Sequence, residues 1–264
     1  MPIAPVPLLR RLSVAALLML PGMVSIASPA SQADSLLAEG AARFGRGDLK
    51  GARESYLGAL AAAPGRFTAL CRLARVESEL AESVAGEDSR NLSAAAVEHA
   101  REAVKLAPDS AGGHLELAVA LGRQALREGP KTQLMLSREI KSEADRALAL
   151  DSRLGRAWHV LALWNRKLAS MNFFQRSVAK SILGGVPKGA SMDNAVADLE
   201  KAVELEPAYV NHRLELGRTY LQVKRTQEAR QQLERAIELP PVSDPLDPRY
   251  QAQARELLAK MKKA

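Results

Sequence analysis

Residues 216–241 read LGRTYLQVKRTQEARQQLERAIELPP. Here Gly217 is followed by Ala229, Leu233, Ala236 and Pro241, at intervals of 12, 4, 3 and 5 residues. Intervals of 3 and 4 put small and apolar side chains on one face of a helix. Gly40, Ala52, Tyr56, Ala59 and Pro64 keep the same intervals near the start of the chain. Ala96, Ala100, Ala103 and Pro108 repeat the last four positions, as do Ala195, Leu199, Ala202 and Pro207. A degenerate copy runs Ile140, Ala144, Ala147, Ser152. Recurring columns of this kind predict a stack of like units rather than one globular core.

The columns are the signature of tetratricopeptide repeats, in which each unit is a pair of antiparallel helices, A and B. The expected fold is all-α: a right-handed α-α superhelix of about five helix pairs with a C-terminal capping helix. Gly40, Ala74, Ala118, Ala162 and Gly217 fall where helix A crosses its partner closely. Prolines 64, 108, 207 and 241 end the B helices, because proline removes a backbone donor and disfavours helix just before it. The terminal positions 64, 108, 152, 207 and 241 are 44, 44, 55 and 34 residues apart, and only the last matches a 34-residue period. The excess predicts longer helices or insertions between A and B. Gly86–Asn91 reads as the first A–B turn insertion, with Ser93 as N-cap, and Glu128–Thr132 as the second. Met171–Met192 reads as the third, with a short helix led by Phe173-Phe174 and ending at Gly184-Gly185. Val242–Pro248 reads as a linker and Arg249–Lys263 as the closing helix.

Composition narrows the function classes. The 264 residues carry 37 Lys+Arg against 30 Asp+Glu, 47% hydrophobic residues and only 4% aromatics, which suits a Leu/Ala-rich helical stack. One cysteine forms no internal disulfide and no multi-cysteine metal site. The basic excess is spread along the chain, so no nucleic-acid partner is expected. At the N-terminus, Arg10 and Arg11 precede the apolar run Leu12–Leu20, and Ser31-Gln32-Ala33 supplies small residues for a signal peptidase. The expectation is a signal peptide over 1–33, the superhelix over 34–241, and linker plus capping helix over 242–264. Removing residues 1–33 takes away only the two arginines, so the net charge falls from +7 to +5. This places the protein outside the cytoplasm, periplasmic or in the cell envelope. An uncleaved anchor is the alternative, and only that form brings membrane contact.

No catalytic residue, cofactor or metal site is expected. His99, His114, His159 and His212 lie on separate helices, and His114-Leu115-Glu116 lacks the HExxH spacing. His99 and Glu102 read as a surface pair rather than metal ligands. Gly45-Arg46-Gly47 and Gly51 fit an A–B turn better than a phosphate loop, and Cys71 reads as packing. Trp158 occupies a core aromatic column, whereas Trp164 faces the third insertion. Phe174, Val178 and Ile182 form one apolar stripe, packed on the superhelix or exposed for a partner.

The stretch Trp158-His159-Val160-Leu161 through Trp164, then Ala179, Leu183-Gly184 and Pro187, resembles the regulator of microtubule dynamics family of tetratricopeptide proteins. Ala195–Ala202 to Pro207, Leu216-Gly217, Tyr220, Ala229 and Leu239-Pro240 continue the resemblance, which is strongest over residues 95–258. It implies a helical scaffold, associated in animal members with microtubules or organelle membranes. An exported chain with a bacterial-style signal departs from that setting.

The expected function is non-enzymatic binding of a protein or peptide in the concave groove. Counted from the proline columns, the groove positions hold Arg75, Arg123, Arg156, His159, Arg166, Lys167, Asn211 and Arg218, with Leu115, Val119, Leu163, Leu214 and Leu221 interleaved. Guanidinium groups grip carboxylates through paired donors, so the expected partner is an acidic or C-terminal-carboxylate segment. The competing reading of these residues is a basic face paired to acids on neighbouring helices. Two alternatives for the whole chain remain: an envelope accessory subunit holding an apolar ligand or lipid, lined by Phe173 and Phe174, and, remotely, an enzyme.

Overall fold

The computed structural model describes residues 28–183, 189–241 and 244–262, apart from the side chains of Phe174, Val178, Ile182 and Leu183. The apolar run before residue 28, the Phe174–Val178–Ile182 stripe and the glycine-rich end of the third insertion lie outside the described residues.

Twelve helices and no strand are found among the described residues. In chain order they are α1 (Pro29–Gly45), α2 (Leu49–Ala62), α3 (Phe67–Ser83), α4 (Gly86–Leu106), α5 (Ala111–Ala125) and α6 (Pro130–Leu150). There follow α7 (Gly155–Ala169), α8 (Phe173–Leu183), α9 (Met192–Leu205), α10 (Val210–Gln222), α11 (Thr226–Glu238) and α12 (Asp247–Met261). The pairs are α1 with α2, α3 with α4, α5 with α6, α7 with α9, and α10 with α11; α12 covers α10 and α11. The A helices α3, α5, α7 and α10 neighbour one another and form the inner wall. No helix among the described residues is long and apolar enough to cross a membrane.

The small-residue columns are the contact lines of this stack. Ala52, Ala59, Ala96, Ala103, Ala147, Ala195, Ala202, Ala229 and Ala236 are all fully buried, as are Ala74, Ala118 and Ala162. At the two ends the notch needs glycine. A Cβ on Gly40 would lie 2.6 Å from Cδ1 of the Tyr56 ring, and one on Gly217 would lie 2.7 Å from Leu233. Local signals set the helix ends. Asp48 and Ser191 cap α2 and α9 by accepting from the amides of Gly51 and Asn194 at 2.9 and 3.0 Å. Pro64, Pro108 and Pro207 each lie two residues beyond the end of a B helix.

The first predicted insertion is corrected. Gly86–Asn91 is no loop but the first turns of α4, and Ser93 sits inside that helix, its hydroxyl bonded to the Ser89 carbonyl at 2.8 Å. Gly86 makes the turn with a φ of 67°, and Glu87 and Asp88 then favour the positive end of the helix. The second insertion is a short turn before Pro130, the first residue of α6. The third carries α8, which packs on α6 while α7 pairs with α9. Ala179 of α8 is buried in one apolar cluster with Trp164 and Leu168. Trp158 is half-buried rather than a core residue, and its indole N–H donates to the Ser152 carbonyl at 3.0 Å.

Because the notch at Gly40 is filled by the Tyr56 ring, Gly40→Ala should destabilise the fold by about 1–3 kcal/mol through overpacking. Gly122→Ala, in α5 with nothing within 4 Å of the added Cβ, should stabilise it by about 0.5–1 kcal/mol. Urea unfolding of the two variants should therefore move the midpoint in opposite directions; shifts of the same sign refute the notch.

Candidate functional site

Helix periodicity gathers the basic residues on the inner wall. Arg156, His159, Leu163 and Arg166 follow one another along α7 at steps of 3, 4 and 3. On α10, Asn211, Glu215, Arg218 and Gln222 do the same at 4, 3 and 4. Together with Arg123 of α5 they line a cavity of about 810 Å³. Seven of the eight expected groove residues, Arg123, Arg156, His159, Arg166, Lys167, Asn211 and Arg218, thus meet in one place. Arg75 stands outside the lining, stacked over the Phe44 ring at 4.9 Å. Val119 and Leu163 reach the cavity, whereas Leu115 and Leu214 are buried in the stack.

The basic face is not unopposed. Arg156 makes a two-pronged bond to Glu116, at 2.7 and 3.2 Å. Arg166 and Arg218 share the Glu215 carboxylate, and Arg166 also donates to Thr219 at 2.9 Å. Arg75 reaches Glu79 at 3.2 Å and Asp244 at 3.5 Å. Arg123 donates to the Ser78 carbonyl at 2.9 Å. The acids come from neighbouring positions of the same helices and from a segment beyond α11, which a survey of groove positions alone does not sample. Arg75–Glu79 and Glu215–Arg218 were nevertheless visible as steps of four and three. Even so, six cations and two acids stand in the cavity lining.

A chain of polar groups runs along one side. His212 Nε2 contacts the Glu206 carboxylate at 3.0 Å, and His212 Nδ1 lies 2.9 Å from His159 Nδ1. Burial pushes the ring pKa of His159 well below its ordinary value, with His212 and nearby arginines acting the same way, and burial lowers His212 too. Both rings are therefore neutral at pH 7. A neutral His212 donating from Nε2 accepts at Nδ1, so His159 donates from Nδ1 and keeps Nε2 as an acceptor. Another part of the lining is apolar: Val119, Leu134, Ile140, Trp164, Leu168 and Met171. Phe173 is 89% exposed and takes no part, and the Phe174 side chain is outside the described residues.

Titration behaviour follows from burial. Burial pushes Glu79 up to about 7, helped by Asp244 and opposed by Arg75 and Arg123. For Glu116 burial acts upward too, but the Arg156 fork outweighs it and holds the carboxyl below its ordinary value. Burial raises the Cys71 thiol to about 12, so it is no thiolate at neutral pH. His99 is not paired with Glu102; its Nδ1 meets the buried Glu77 at 2.7 Å, which also takes Arg53 at 2.9 Å. No group of three metal-ligating side chains occurs among the described residues.

The folded chain holds a proton on Glu79 that the unfolded chain releases near its ordinary pKa of 4.5. The Glu79 contribution to stability must therefore fall as pH rises between 4.5 and about 7, and level off above. Glu79→Gln removes this dependence. It should gain up to about 3 kcal/mol over the wild type on going from pH 5 to pH 8, from about 1.4 kcal/mol per pKa unit. Parallel urea titrations at the two pH values measure it; an unchanged difference refutes the buried proton.

Stacked A and B helices closed by α12 define a tetratricopeptide-type scaffold. A solved tetratricopeptide protein of Thermus thermophilus shares the fold, with a TM-score of 0.61 at 22% identity, covering 84% of this chain and 98% of that one. The profile of the family "Regulator of microtubule dynamics protein 1-3" matches residues 30–262, and the chain belongs to that family. Regulator of microtubule dynamics protein 1 of Bos taurus is 28% identical over 192 residues, covering 72% of this chain and 60% of that protein. Protein 3 of Mus musculus is 29% identical, with 71% and 40% covered, and protein 1 of Caenorhabditis elegans 27%, with 72% and 84%. The chain thus spans about 60% and 40% of the lengths of the first two relatives.

Proposed function

We propose that this chain is a non-enzymatic scaffold that takes an acidic or C-terminal-carboxylate segment of a protein partner into the inner-wall cavity. The observation that carries the reading is the excess of cations in the lining, Arg123, Arg156, Arg166, Lys167, Arg218 and Arg249 against Glu82 and Glu215. Paired, half-buried guanidinium groups lose little freedom on gripping a carboxylate, and the apolar side chains of the same lining accept the residues next to it. What the relatives' name attributes to them, regulation of microtubule dynamics, is compatible with such a scaffold but does not choose its partner.

Arg123 and Lys167 are the residues to change, because no described ion pair uses either. Acidic eight-residue peptides with a free C-terminus should bind at least tenfold more weakly to Arg123→Gln/Lys167→Gln than to the wild type, by fluorescence anisotropy. Amidating the peptide C-terminus should weaken binding further. Affinities indifferent to both changes refute the reading. A second reading is favoured by the apolar wall from Val119 to Met171: a small apolar or amphipathic ligand. Mass spectrometry of an organic extract of the purified protein separates the two, since the scaffold reading expects no stoichiometric small molecule.

Export is proposed from the N-terminal sequence. Helix α1 already starts at Pro29 under a Ser28 cap, and Ala33 is buried among Ala59 and Ala69. A cut after Ala33 therefore strips the first turn of α1. Ser25-Ile26-Ala27 offers small residues at the same two positions and leaves the cap intact. N-terminal sequencing of the processed protein should find Ser28 first; Asp34 first shows that the cut ignores the helix.

A further inference from the structure

Just before α12 and in its first turn, the chain lies against the inner wall. Asp244, 169 residues away in sequence, faces the Arg75 guanidinium at 3.5 Å and accepts a 2.6 Å bond from the Tyr209 hydroxyl. Its other oxygen accepts from the Leu246 amide at 2.9 Å, and its own amide donates to Asp247 at 2.9 Å, so the strap holds itself in a tight turn. Arg249 donates to the Glu82 carbonyl at the end of α3, at 2.6 Å. Leu246, Arg249 and Tyr250 form part of the cavity lining.

Two features set this seam apart from the stack. The described contacts between strap and α3 are polar, whereas the apolar cluster around α12 is built from α10, α11 and α12. Polar contacts yield to salt and to a competing carboxylate in a way that apolar packing does not. In addition, a carboxylate that is 3% exposed, gripped by an arginine and a tyrosine hydroxyl on a cationic wall, is what an acidic ligand itself would present.

We propose that the Asp244–Tyr250 strap is a built-in occupant of a carboxylate subsite made by Arg75 and Tyr209, and that an acidic protein segment enters the full groove by displacing it. The proposal rests on the groove reading above, and its test is chosen to fail separately from it.

Asp244→Asn keeps the acceptor for the Leu246 amide but removes the charge that holds Arg75. Tyr209→Phe keeps the ring but removes the hydroxyl donor, and serves should the first variant not fold. In the full-length protein, hydrogen exchange at the Leu246 and Asp247 amides should quicken at least tenfold in these variants, with α3 and α10 unchanged. A labelled peptide of residues 242–250 should bind Asp244→Asn at least tenfold more tightly than the wild type, and lose that gain in Asp244→Asn/Arg75→Gln. Unchanged strap exchange together with no preference of the peptide for Asp244→Asn overturns the proposal. If the strap responds as expected while the acidic eight-residue peptides do not bind, the Asp244 contact stands as a latch and the groove reading falls.

Discussion

The close approach of paired helices at their glycine and alanine notches is the constraint on which the rest of this structure depends. With almost no side chain between α1 and α2 at Gly40, or between α10 and α11 at Gly217, the facing Tyr56 and Leu233 fill the gap completely. That contact fixes the tilt within each pair, and repetition of the tilt curves the stack. The curvature brings α3, α5, α7 and α10 to one side, so residues far apart in sequence share an inner wall. Packing of small side chains, not any polar contact, is therefore what assembles the site.

On that wall the chain sets half-buried charge against half-buried charge. Taking a guanidinium or carboxylate out of water is unfavourable unless it is paired, which is why Arg156 meets Glu116 and why Glu215 lies between Arg166 and Arg218. Pairs of this kind do little for net stability compared with an apolar core, but they hold side chains in single orientations. The cavity is accordingly preorganised, with donors, acceptors and an apolar wall already in place.

Much of the fold was legible in the residues because the columns are local. Ala52, Tyr56 and Ala59 recur at helical spacing within a single helix, so a pattern of a dozen residues suffices to place them. The start of α4 was misread because Gly86 looks like a loop, while the acids Glu87 and Asp88 after it are helix-starting signals of comparable weight. The basic wall was legible for the same reason as the columns. Of its acids, Glu79 and Glu215 were legible at helical steps from Arg75 and Arg218, but Glu116 was not, since it lies 40 residues from Arg156 and meets it only once the superhelical angle is known. Asp244 was the least accessible of all: nothing in its neighbourhood on the chain indicates that it meets α3.

The contact between Asp244 and Arg75 also bears on how the chain folds. A stack of repeats is nearly one-dimensional, each unit gaining stability only from its neighbours, so its ends fray independently and folding can begin anywhere. A tie spanning 169 residues changes that order. It can form only after the intervening pairs have stacked with the right curvature, and once formed it makes the second repeat sense the state of the last one. A solenoid is thereby turned into a closed loop, in which fraying at the C-terminal end is felt at the other side of the molecule.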